Sequence, residues 1–387
     1  MKKIKNIITV LSIALVFSCS KDILDKEPQS GFSAQGFYKT SSDAQAGVYG
    51  IYDAVQSTFS LNFSFWGEGR ADAVNTNHSG DPLLLQQNTL NKTMNSARWN
   101  SLYETISRAN YAIKYVPEVF EEGNEFGLQL VGQARALRAL SYFYAVRIWG
   151  DVPLVLEPYE SIDQELFIGK TAKEEVLEQI VADLKFAAQN CRESFGGERD
   201  RLLITQGGAN GLLTQVYMWQ KNYEAAIASA QSVLGNSLYS LVSINDWSKI
   251  FTTGFSNESI FEIGYDDTQT NNLRILYAIG SDSHYFPSEG FRASFEEGDL
   301  RQELIYDVTE EEPRKIWKFF GQGFDDESAD PSSQNIVMLR LADIMLLKAE
   351  AHNKLGQTPQ ALDLLNTIRS RAGLVEIDEA EAISSYG

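Results

Sequence analysis

The sequence predicts a mainly α fold in which four tetratricopeptide-like helix pairs carry a loop-rich insertion containing short strands. Three observations predict it. Apolar residues recur at helical spacing through most of the chain, with capping residues and breakers between the runs. Two stretches, "LLTQVYMWQKNYEAAIASAQSVL" and "MLLKAEAHNKLGQTPQALDLLNTI", fit the tetratricopeptide pattern of paired antiparallel helices. Between them, residues 238–335 change texture: "SIFEIGYDD" alternates like a strand, while "DDTQTNN", "GSDSHYFPSEG" and "GQGFDDESADPSS" have loop compositions.

The amino end is read first as targeting. Lys2, Lys3 and Lys5 precede an apolar run from Ile7 to Phe17, whose 11 residues are too short to cross a hydrocarbon core of about 30 Å. Residues 1–18 therefore read as a signal peptide. In "LVFSCSKDILDKEPQ" the run stops at Ser18-Cys19 and turns polar and acidic at once. That junction resembles the lipobox of bacterial lipoproteins, which implies acylation of Cys19 and a membrane anchor by lipid rather than by a span. The alternative is a secreted protein with an unmodified cysteine. Residues 19–40 read as a tether leading into a domain over 41–387.

Helical periodicity begins after "TSSD", where Ser42 or Asp43 can cap a helix over 43–58. Residues 60–93 lose it and read as a long loop rich in Asn, Gly and Asp, a length that in compact domains is usually either functional or disordered. The period returns over 94–116, with Trp99, Leu102, Tyr103, Ile106, Ala109 and Ile113 on one face and Pro117 as the stop. Further helices are expected over 128–149, 171–192, 205–220, 222–235, 338–355 and 358–372, which completes four pairs. In the first tetratricopeptide match, Leu213, Tyr217, Tyr223, Ala226 and Val233 occupy the interlocking positions; in the second, Met345, Ala349, Ala361, Leu365 and Ile368 do. The equivalent Ala226 and Ala361 lie 135 residues apart, against a repeat of about 34, so the array carries a large insertion.

Composition narrows the function. The 387 residues carry a formal charge of −19, and −22 without the three leader lysines, which disfavours nucleic acid and anionic lipid as partners. With two cysteines and three histidines, neither a disulfide framework nor a zinc site of the usual spacing is expected. Aromatics make up 11% of the chain, 6 of them Trp, a supply of stacking faces wherever a few are exposed.

Five ordered blocks, "CSKDILDKEPQ", "YETISRANYAI", "QARALRALSYFYAVRIWGDVPLV", "NESIFEI" and "VMLRLADIMLLKAEAHNKLG…ALDLLNTIRSRAG", together resemble the SusD/RagB family of Bacteroidetes outer-membrane lipoproteins. The resemblance implies a SusD-like fold and a non-catalytic, lipid-anchored subunit facing the cell exterior. Such a subunit binds oligosaccharide as the lid of a SusC-like TonB-dependent transporter, with no cofactor. Family members usually continue past "LNTIRSRAG" into a further helix and a closing segment. This chain stops at Gly387, so that end of the pattern is expected to be missing.

For glycan binding, the 60–93 loop offers Trp66 as a stacking platform, with Arg70, Asp72, Asn75 and Asn77 as hydrogen-bonding groups. The competing reading folds Trp66 inward and uses the polar residues as turn caps. In the insertion, Tyr265 beside Asp266 and Asp267, and Tyr285 beside His284 and Phe286, are further ligand candidates. His78 reads as a surface imidazole, and Trp317 and Phe319 as inward-packing. "DDESAD" lacks the glycine and terminal Glu of a calcium loop. "RALRAL" and "RSRAG" read as helical ion-pair formers. Two rivals remain: a tetratricopeptide scaffold binding a peptide or envelope protein, and a surface glycosidase using Glu68 and Asp72 as its carboxylate pair.

Overall fold

The computed structural model describes residues 34–161, 163–326, 328 and 331–381; Cys19 and the leader lie outside them. Among the described residues, eight helices of at least 12 residues carry the architecture. They are α1 (Ser41–Trp66), α2 (Asn100–Val119), α3 (Glu125–Trp149), α4 (Lys173–Asn190), α5 (Gln206–Trp219), α6 (Tyr223–Leu234), α7 (Leu341–Lys354) and α8 (Thr358–Arg371). The four expected pairs form, and each packs on the next, α2 on α3, α4 on α5 and α6 on α7. The insertion between α6 and α7 leaves this stack unbroken.

Several boundaries differ from expectation for local reasons. Thr40, rather than Ser42 or Asp43, caps α1; Asp43 instead completes a capping box by accepting from the Thr40 main-chain N–H at 2.8 Å. The helix runs on through "SLNFSFW" to Trp66, because Phe59 and Phe65 are buried there. Helix α2 passes Pro117 and ends at Val119. The close of the tether is docked: a short helix, Ala34–Phe37, precedes Tyr38, whose ring stacks on Tyr115 at 5.7 Å and 13°.

Helix α3 is buried on nearly all sides, as its place between α2 and α4 requires. At its centre Arg138 meets Asp183 of α4 with both members buried, Nε to Oδ2 at 2.8 Å and Nη2 to Oδ1 at 2.9 Å. Its remaining nitrogen donates to Asn110 Oδ1 at 2.8 Å. The connector after α3 is laid across this region by side chains: Tyr103 donates to Pro153 O at 2.6 Å, and Tyr142 and Asn110 both donate to Val155 O. In α5, Thr214 stands where the repeat prefers glycine; its hydroxyl is satisfied by Asn210 O at 2.9 Å and Ser229 Oγ at 3.1 Å.

Two small antiparallel sheets tie the irregular segments to the stack. Strand β1 (Val74–Asn75) pairs with β3 (Phe286–Pro287), joining the segment after α1 to the insertion. Strand β2 (Ser259–Ile263), buried throughout, pairs with β4 (Ile336–Arg340). Because β4 runs straight into α7, the helix expected from 338 begins at Leu341. Buried Glu258 holds this junction: Oε1 accepts from Arg340 at 2.9 Å and Oε2 from Arg371 of α8 at 2.7 Å. The ion-pair reading of "RALRAL" and "RSRAG" is met by Arg138, Arg371 and Arg369, the last paired with Glu296 at 2.6 Å, but not by Arg135, whose guanidinium lies over the Phe186 ring at 4.2 Å instead.

Candidate functional site

The segment 60–93 is shaped by the end of α1, a 3-10 turn at Glu68–Arg70, β1 and a short helix at Asp81–Gln86. It is therefore far more ordered than the loop expected from its composition. Trp66, the last residue of α1, is half-buried. Its indole N–H donates to Ser96 O at 2.8 Å, and the Ser96 N–H is in turn held by Asp81 Oδ2 at 2.7 Å. Edge-to-face contacts with Phe59 at 6.0 Å and Trp149 at 5.7 Å set the ring's tilt. Trp149 meets Trp99 at 5.9 Å, so one aromatic cluster joins α1, α2 and α3.

On this cluster opens a cavity of about 400 Å³ whose lining includes Trp66, Trp149, Arg70, Leu90, Asn91 and Lys92. Arg70 is exposed and donates to Asn88 Oδ1 at 3.2 Å, which keeps its guanidinium plane at the rim. Indole walls with a guanidinium, a carboxamide and an ammonium at the mouth can stack an apolar ring face while hydrogen-bonding its edge. No carboxylate belongs to this lining among the described residues.

Of the residues singled out in sequence, Trp66 and Arg70 are brought together here. Asp72, Asn75 and Asn77 are not: Asp72 and Asn77 are exposed beyond the turn, and Asn75 accepts from Gln86 at 2.8 Å. Tyr265 is packed inward, its hydroxyl donating to Gln56 O at 2.7 Å and pushed up in pKa by burial. Tyr285 is a correction. It is 0% exposed and its ring lies edge-on to Phe65 at 6.3 Å, so it has no face to offer a ligand. Glu68 and Asp72 do not line a common cavity either; Glu68 belongs to a separate one and Asp72 stands outside both. Trp149 and Asn91 were missed because the first read only as a helix end and the second as one Asn among many.

Two other sequence expectations meet their surroundings here. His78 is half-buried, with Nε2 2.9 Å from Asp282 O and its ring 4.2 Å from that of His284. No group of three or more His, Cys, Asp or Glu side chains that could hold a metal occurs among the described residues. In "DDESAD", Asp325 pairs with Lys315 at 2.6 Å and Asp326 with Arg274 at 2.9 Å.

A larger cavity, about 460 Å³, lies between α1 and β2. Its polar lining is mostly engaged within the protein: Asp53 with Arg108 at 2.7 Å, Tyr52 with Gln133 at 2.7 Å, and Gln56 with Gly264 O. Fewer groups are left there to meet a ligand than around Trp66.

Residues 24–218 match a family described as starch-binding, associating with the outer membrane, and residues 307–385 match the SusD family. SusD-like protein P38 of Formosa agariphila is 29% identical over 429 residues, covering 95% of this chain and 82% of that protein. A SusD superfamily protein from Bacteroides thetaiotaomicron superposes with a TM-score of 0.77 at 24% identity, over 90% of this chain and 84% of the other. A laminarin binding SusD-like protein also superposes with a TM-score of 0.77 at 24% identity, over 88% of this chain and 86% of the other. No helix among the described residues is long and apolar enough to cross a membrane.

Proposed function

Because the chain belongs to the SusD/RagB family, we propose that it is a non-catalytic glycan-binding subunit that captures oligosaccharide and serves as the lid of a SusC-like TonB-dependent transporter. It is lipid-anchored through Cys19 on the outer membrane and faces the cell exterior. The observation that carries the reading is the Trp66–Trp149 cavity, in which indole surfaces and an exposed guanidinium converge without a carboxylate in the lining. The laminarin-binding neighbour and the starch-binding family description support a sugar as cargo. Stacking adds only about 0.5–1.5 kcal/mol per ring pair beyond area burial, so capture is weak enough to be followed by release to the transporter.

Calorimetric titration of the purified protein with a panel of neutral polysaccharides, laminarin and starch included, tests the binding half. At least one glycan is expected to bind, with affinity reduced several-fold by Arg70→Ala. Binding to none of them, together with a stable complex with a non-transporter envelope protein, contradicts it. Co-purification of a SusC-like barrel with the membrane-derived protein tests the other half.

A further inference from the structure

The 3-10 turn at Glu68–Arg70 is a partition. Trp66 and Arg70 line the cavity described above, whereas Glu68 lines a second one of about 340 Å³ on the insertion side, within the range of about 300–1,000 Å³ usual for small-molecule sites. Its charges nearly all cancel internally: Arg301 is held by Asp299 at 2.5 Å, and Arg340 by Glu258 at 2.9 Å. Two ionisable groups are left over. Lys318 Nζ lies 4.6 Å from the centroid of Phe251 and 5.4 Å from that of Phe319. Neither Lys318 nor Glu68 has a hydrogen-bond or ion-pair partner on its side chain among the described residues, and the two are not within ion-pair distance of each other. Trp247, another lining residue, is buried with its indole N–H lacking an acceptor. The great majority of buried donors in folded proteins have partners.

We propose that this second cavity is a binding subsite for an uncharged, polyhydroxylated ring, a neutral sugar unit whose oxygens accept from Lys318 and Trp247 and whose hydroxyl donates to Glu68. A neutral ligand fits because one unpaired cation and one unpaired carboxylate sum to zero. A carboxylate- or sulfate-bearing sugar would satisfy Lys318 and be repelled by Glu68. Phe291 and Phe319 supply apolar wall for the ring's C–H face. Burial holds the Lys318 ammonium below the ordinary lysine range, so it gains from an acceptor that replaces lost water. The inference rests on the glycan-binding reading and extends it from one sugar contact to two, on opposite faces of a single turn.

The test titrates wild type, Lys318→Met, Glu68→Gln and Arg70→Ala with neutral hexasaccharides of glucose, mannose, galactose and xylose and with an acidic oligogalacturonate. Losing a hydrogen bond to a charged group is expected to weaken neutral-glycan affinity about tenfold in Lys318→Met, less in Glu68→Gln, with Arg70→Ala weakening it independently. As a second measurement on the unmodified protein, acetylation of Lys318 followed by mass spectrometry is expected to slow in saturating neutral glycan. Unchanged affinity in Lys318→Met, or unslowed acetylation, while Arg70→Ala still weakens binding, overturns the second subsite alone. Tighter binding of the oligogalacturonate that depends on Lys318 overturns its neutral specificity. Absence of any sugar binding to wild type overturns the glycan-binding reading and this inference with it.

Discussion

Trp66 donates its indole N–H to Ser96 O at 2.8 Å, which spends the ring's only polar group inside the protein and leaves its surface as what the cavity can use. The side chain therefore has two roles, closing the segment 94–97 onto α1 and forming a wall. Trp66→Phe separates them: it keeps an aromatic face, though a smaller one, and leaves Ser96 O without its donor, costing about 1 kcal/mol of stability and only a few-fold in glycan affinity. Trp66→Ala is expected to lower the melting temperature and the affinity together. Denaturation and calorimetry on both variants check this; full affinity in Trp66→Ala removes the ring from the site.

Arg138 and Asp183 form the buried pair between α3 and α4. Removing one member leaves a buried charge without its counterpart, a change that costs about 3–5 kcal/mol. Arg138→Met is expected to show that loss in urea unfolding, and the loss should shrink in the double variant with Asp183→Leu. Equal destabilisation by single and double variants would mean that packing, not charge, dominates there.

Cys191 is buried at the end of α4, and burial pushes its thiol up to about 12. Iodoacetamide at neutral pH is expected to leave it unmodified in the native protein and to label it once urea unfolds the chain. Native labelling at the rate of a free thiol would contradict the placement of α4. The same contact explains Gly132: a Cβ there would sit 2.9 Å from Cys191 Sγ, so Gly132→Ala is expected to destabilise by about 1–3 kcal/mol.

His284 is held below the ordinary histidine value of 6.5, first by burial and then by the neighbouring His78. A histidine whose folded value is lowered contributes stability in full above its unfolded value, and loses that contribution as pH falls through 6.5 toward the folded value. Between about pH 7.5 and about pH 5 the wild type should therefore lose more stability than His284→Gln. Identical pH dependence in the two would dismiss the coupling.

The helix pairs were legible because an amphipathic helix writes its burial into a 3.6-residue period, as in Leu102, Ile106 and Ala109 of α2. The extension of α1 was not, since "SLNFSFW" alternates polar and aromatic residues in a way that composition assigns to loop. Only its contact partners across the fold, Tyr144 and Trp149, settle it as helix. The same limit governs the site. Trp66 and Arg70, four residues apart, share a cavity because a 3-10 turn brings Arg70 round, while Glu68 between them is directed to the other side. Tyr285 was a further candidate in sequence; next to β3, which pairs with β1, it is fully buried. Which aromatic is wall and which is core depends on contacts across some 200 residues, and no local pattern records them.

The most direct measurement of the central claim is a crystal structure of the protein soaked with a neutral oligosaccharide that it binds in solution. The account predicts a sugar ring against Trp66 and Trp149 with its edge hydroxyls reaching Arg70 or Asn91. A glycan bound elsewhere on the protein, with no sugar at the Trp66 cavity, would contradict it.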